Sequence, residues 1–192
     1  MTIVGERKAD RMIDHSPRLL VTGVGPLPPE SHDRVYAPGL RIWGIARELA
    51  RAGHPVRLIC TRFGADAPVA LRYDLAPGPQ VALPGGLARP LPEGGLPELL
   101  TAEAIEFGAD AAVGSTDVMN HALACARFDL PIWMDFLGDP MAERQLLALR
   151  HASDGGLDDQ WALLAPALAR ADRLSGCSND QCAALLGELA AV

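Results

Sequence analysis

Residues 38–60, PGLRIWGIARELARAGHPVRLIC, decide how the chain is read. Gly39 opens a helical run that extends to about Ala52. Apolar Ile42, Ile45, Ala46 and Leu49 recur at helical spacing, and Arg41, Arg47, Glu48 and Arg51 fall elsewhere. Gly53 suits the left-handed position after a helix end, and Pro55 stops continuation. Val56–Cys60 then reads as a buried strand. In such a unit the helix N-terminus offers free N–H groups and a positive dipole end to anions. The spacing therefore predicts Gly39 as a point of close ligand approach and Arg41 as a phosphate or anion partner.

Outward from this unit the pattern repeats. Arg18–Val24 reads as the first strand, and the prolines of 25–38 as loop. Residues 76–97 are rich in Pro and Gly, with one short strand candidate at Gln80–Leu83. A helix follows at about Leu96–Phe107, then a strand at Asp110–Gly114. Ser115, Thr116 and Asp117 supply capping groups for the next helix, which runs to about Phe128. Pro131–Met134 is a strand, and Asp139-Pro140 starts another helix with Asp as its cap. After a helix at 157–170 come a strand at Arg173–Cys177 and a capping box at Ser178–Gln181. Alternating strands and helices predict an α/β fold: a three-layer Rossmann-like sandwich, its sheet mostly parallel, with helices on both faces. The domain is expected over 17–192, with 1–16 a loose tail.

Ligands of such sheets bind beyond the carboxyl ends of the strands. Candidates at that edge are Pro38, Gly39, Arg41, Thr116, Asp135, Asp139 and Glu143, with His121 in the early turns of its helix. His32 and Arg34, in the loop after the first strand, are further acceptor candidates. Trp133 alternates with Ile132 and Met134 and reads as core.

Composition narrows the function. The net charge of -7 argues against a general nucleic-acid or anionic-membrane surface. No apolar run is long enough to span a membrane, and the N-terminus has no signal-peptide core. Cys60, Cys125, Cys177 and Cys182 lack metal-ligand spacing and read as free thiols of a cytoplasmic protein. Gly23-Val24-Gly25 is followed by Pro-Leu-Pro, so the third glycine of a dinucleotide fingerprint is missing. No P-loop or GxSxG motif is present.

Three segments in order carry a resemblance. PGLRIWGIARELARAGHPVRLI (38–59), DLPIWMDFLGDPMAERQ (129–145) and ADRLSGCSNDQCAALLGEL (171–189) resemble the N-terminal domain of GT-B glycosyltransferases of the family 4 kind. The resemblance spans about residues 18–190. It implies the acceptor-binding half of a retaining glycosyltransferase using a nucleotide-diphosphate sugar, with no essential metal and no cofactor. A C-terminal donor-binding domain would be its partner, and this half alone is expected to be inactive. Asp135 takes the catalytic position. Pro38, Gly39, Arg41, Thr116, His121, Asp139 and Glu143 take substrate-binding ones. Two departures stand out. Leu137 occupies the place where relatives carry a His, and Glu98 and Glu106 have the donor-site spacing of eight but sit on a plain helix. A stand-alone, non-catalytic Rossmann-like subunit binding a sugar or a protein is the alternative, and a nucleotide-sugar epimerase a weaker one.

Overall fold

In the computed structural model, residues 16–30, 36–63, 68–154 and 156–192 are described. His32 and Arg34 lie outside them, as does nearly all of the N-terminal segment. The chain is α/β, with β1 (Leu19–Val24), α1 (Ala37–Arg51), β2 (Val56–Phe63), β3 (Pro68–Leu75), β4 (Leu87–Arg89), α2 (Gly95–Phe107) and β5 (Ala111–Ser115) in its first part. Next come α3 (Asp117–Cys125), β6 (Ile132–Phe136), α4 (Pro140–His151), α5 (Leu157–Arg170), β7 (Arg173–Gly176) and α6 (Asn179–Leu189).

The seven strands form one sheet in the order β4-β3-β2-β1-β5-β6-β7. β1 pairs in parallel with β2 and β5, β5 with β6, and β6 with β7. β3 continues the sheet antiparallel to β2, and β4 pairs antiparallel with β3. The sheet is therefore mixed and mostly parallel. The chain builds outward from β1 through β2 and β3, then returns to add β5 on the other side of β1. That reversal makes the carboxyl ends of β1 and β5 a topological switch point.

Successive strand residues serve two separate cores, as a pleated strand requires. Leu20, Ile59, Ala112, Ile132 and Met134 pack with residues of α2, α3, α5 and α6. Leu19, Val21, Leu58 and Val113 pack with Ile42, Trp43, Ala46 and Ala50 of α1.

The structure corrects the sequence reading in several places. Helix α1 begins at Ala37, so Pro38 sits in its first turn, where a missing N–H costs nothing. The buried stripe of α1 is Gly39, Ile42, Trp43, Ala46 and Ala50; Ile45 and Leu49 lie beside it, half-buried. Gln80–Leu83 is not a strand, and strands form instead at Pro68–Leu75 and Leu87–Arg89. These outer strands are tied to α2 by charge. Arg57 donates from Nη1 to Glu103 Oε2 at 3.1 Å, Arg89 from Nε to Glu103 Oε1 at 2.6 Å, and Glu103 is fully buried. Glu106 pairs with Arg72 at 2.6 Å, and Glu98 accepts from Gly94 N at 2.9 Å. Both members of the Glu98/Glu106 spacing are thus held in local contacts.

Candidate functional site at the carboxyl edge of the sheet

Strands β5 and β6 each run past their expected ends, to Ser115 and Phe136. The extension draws Asp135 into the sheet, where it is fully buried. Its carboxylate accepts three side-chain hydrogen bonds. Arg41 donates from Nε to Oδ2 at 2.9 Å and from Nη2 to Oδ1 at 2.7 Å, and Ser175 Oγ donates to Oδ1 at 2.6 Å. Its main-chain carbonyl accepts from Asn120 Nδ2 at 3.0 Å. A carboxylate so held is fully buried and positions Arg41. The pair raises the Arg41 pKa, chiefly through the hydrogen bond to Asp135, with burial opposing. Arg41 and Asp135, expected as two separate site groups, form one unit.

Gly39 has a different job from the one its position suggests. A Cβ there would lie 1.9 Å from the Pro26 carbonyl oxygen. The glycine allows the loop after β1 to pass against α1, so the close approach is the protein's own.

A cavity of about 460 Å³ opens at the switch point. Val24 at the end of β1 and Thr116 just beyond β5 form its base, and Pro38 lines the side made by α1. Its polar wall is a chain of side chains from three helices. Gln160 Nε2 donates to Asp117 Oδ2 at 2.9 Å, and Arg144 Nε donates to Gln160 Oε1 at 3.2 Å. Glu143 lies beside Arg144 on the same rim. Thr116 stands at φ 81°, ψ 153°, a region that β-branched residues almost never adopt. It is the N-cap of α3, yet its side chain makes no capping hydrogen bond. Its hydroxyl oxygen is buried with no hydrogen-bond partner among the described residues. Strain and an unpartnered hydroxyl thus coincide on one residue at the cavity base.

Of the expected residues, Pro38, Thr116 and Glu143 come together around this cavity. Arg41 and Asp135 meet each other at its side of the sheet edge, and Gly39 is buried beneath. Asp139 caps α4, accepting from Ala142 N at 2.9 Å through Oδ1. His121 turns toward α5 instead of the cavity: Nδ1 lies 3.1 Å from the Leu163 carbonyl, and Nε2 lies 3.5 Å from Cys125 Sγ. Gln160 and Arg144 escaped the sequence reading. Gln160 is 43 residues from Asp117, and no local spacing marks it. Among the described residues no group of three or more His, Cys, Asp or Glu is placed to hold a metal ion, and no helix is long and apolar enough to cross a membrane.

No family pattern matches this chain, and neither a characterised protein nor a solved structure matches it.

Proposed function

We propose that the chain is the acceptor-binding half of a retaining glycosyltransferase, folded as a three-layer Rossmann-like sandwich. It would act with a donor-binding domain that supplies a nucleotide-diphosphate sugar. The observation that carries this reading is the switch-point cavity with its mixed wall of acceptors and donors: Asp117, Gln160, Arg144 and Glu143. A hydroxyl-rich acceptor needs such alternation, because each hydroxyl both donates and accepts. In the transfer, the acceptor oxygen forms the new glycosidic bond at the anomeric carbon with its configuration kept. The sugar–phosphate bond breaks, and the acceptor's proton leaves with the diphosphate. The residues of this chain bind and orient the acceptor. Arg41, held by Asp135 and three residues along α1 from Pro38, would offer a fixed positive charge to the negative charge that grows on the leaving diphosphate.

The test is direct. The chain is incubated with UDP-glucose or GDP-mannose and with glucose, mannose or myo-inositol as acceptors. Binding of one acceptor without turnover is expected, and Asp117→Ala or Gln160→Ala should weaken it at least tenfold. Turnover by this polypeptide alone would defeat the half-enzyme reading. Acceptor binding indifferent to both substitutions would remove the cavity from it.

A further inference from the structure

Helix α1 packs on β1, β2 and β5. Beyond it, on the flank of β6, runs a second groove of about 760 Å³, which shares Leu137 with the switch-point cavity. Ligand clefts commonly enclose roughly 300–1,000 Å³ and are mostly apolar with a few fixed polar groups. This groove has that character. Its walls are Leu40, Ile45 and Leu49 of α1 facing Trp133 and Leu137, with Arg41 at the end nearest the carboxyl edge.

Two observations indicate a built site rather than an incidental furrow. The first is a continuous hydrogen-bond relay from floor to cation. Trp133 Nε1 donates to Ser175 Oγ at 2.8 Å, Ser175 donates to Asp135, and Asp135 holds Arg41 through two bonds. The apolar floor and the guanidinium are therefore fixed relative to one another, which lowers the ordering cost of binding. The second is Gly44. It lies inside α1 and lines the groove, and a Cβ added there would meet nothing within 4 Å. Glycine in a helix interior is unfavourable relative to alanine, and no packing within the chain calls for it. Its bare backbone leaves room in the groove for something else.

Charge selects the occupant. Asp135 uses two of the five guanidinium N–H donors of Arg41, which leaves three for a ligand. Glu48, the acidic residue of the groove lining, is bridged by Arg47 at 3.0 Å and Arg51 at 3.3 Å. With Asp135 counted, three guanidiniums (Arg41, Arg47 and Arg51) face two carboxylates (Asp135 and Glu48) on this flank, an excess of one positive charge on a chain of net charge -7. We propose that this groove binds a single-chain amphiphile with a phosphate head. The phosphate sits on Arg41, and the alkyl chain lies along Gly44, Ile45, Leu49 and Trp133. A guanidinium is suited to phosphate oxygens because it presents paired N–H groups in one plane.

The test is calorimetric titration of the full chain with decyl phosphate kept below its micelle concentration. One saturable site is expected. Inorganic phosphate and decanol should each bind at least tenfold more weakly. Gly44→Leu, whose Cβ meets nothing within 4 Å and whose side chain enters the groove, should weaken decyl phosphate at least tenfold while the unfolding midpoint holds or rises. Decanol binding as tightly as decyl phosphate, or unchanged affinity in Gly44→Leu, overturns the proposal. So does a wild-type dimer that Gly44→Leu dissociates, because the groove would then be covered by a second copy. Binding to phosphatidylglycerol vesicles without binding of monomeric decyl phosphate overturns it as well. Equilibrium binding is the readout throughout, so the result stands apart from whether the switch-point cavity takes a glycosyl acceptor.

Discussion

Removing Arg41 should cost more stability than neutralising Asp135, although Arg41 is the more exposed of the two. The Arg41 side chain is 35% accessible, and that of Asp135 is 0%. Arg41→Ala leaves a buried carboxylate with the Ser175 hydroxyl as its remaining side-chain donor. Stranding one member of a buried pair costs about 3–5 kcal/mol. Water entering the space of a guanidinium already one-third exposed reduces that to roughly 2–4 kcal/mol. Asp135→Asn keeps an oxygen to accept from Ser175 and frees Arg41 to turn toward solvent. Its cost is the loss of charge-assisted hydrogen bonding, about 1–2 kcal/mol. The double substitution removes the stranded charge and should unfold less easily than Arg41→Ala alone. Urea unfolding of the four proteins completes the cycle, with the m value checked for constancy so that midpoints report stability. A coupling of at least about 1 kcal/mol is expected; residues that act independently add to within about 0.5 kcal/mol. Additive costs would refute the reasoning. A neutral or stabilising Arg41→Ala would refute it more sharply, since that is how a solvated residue kept only for a ligand behaves.

Two glycines five positions apart in α1 should respond with opposite signs: Gly39→Ala should lose about 1–3 kcal/mol through its clash with the Pro26 carbonyl, and Gly44→Ala should gain about 0.5–1 kcal/mol from helix propensity. A Gly39→Ala protein that melts higher than wild type would return Gly39 to the role of ligand approach. Thr116→Gly relieves a backbone strain of about 1–3 kcal/mol, less about 0.5–1 kcal/mol of added chain entropy, and it deletes an unpartnered buried hydroxyl. Stability should therefore hold or rise in urea while acceptor binding falls, and a protein destabilised by more than about 1 kcal/mol contradicts the strain. Burial pushes the Cys60 thiol up to about 12, with Glu30 adding to the effect and Arg62 opposing it. The fold disfavours the thiolate, so this contribution is intact below the ordinary thiol value of 9.0 and is lost as pH rises toward about 12. Cys60→Ala should make the loss of stability between those values shallower, and at pH 8 Ellman's reagent should reach exposed Cys125 and Cys177 before buried Cys60; an equally steep alkaline loss would show that Cys60 ionisation does not drive it.

What could be read in advance was what repeats locally. The α1–β2 unit shows itself because helical spacing, a glycine stop and an apolar run lie within 23 consecutive residues. The caps at Asp139 and Ser178 show themselves because a cap and its N–H are three residues apart. Strand β3 was hidden because its charged residues, Arg72 and Asp74, are held by α2 and β2, and its short outer neighbour begins 12 residues after it ends. The face of α1 was misjudged for a related reason. Ile45 and Leu49 fit a core stripe by spacing, but the sheet they would cover turns into the open flank at Trp133. The site was the least legible part. A charged residue at the carboxyl end of a strand reads as available until its partner is known, and the partner of Asp135 lies 94 residues earlier. That long pairing joins the two residues into one unit, because the buried carboxylate is bound by the guanidinium and the guanidinium is held in place by two hydrogen bonds. Arg41 is pinned where α1 meets the ends of β5 and β6, with the polar cavity beyond the sheet edge and the apolar groove along α1. An alkyl phosphate in the groove would therefore meet a fixed cation, and a change at Asp135 should register in its binding.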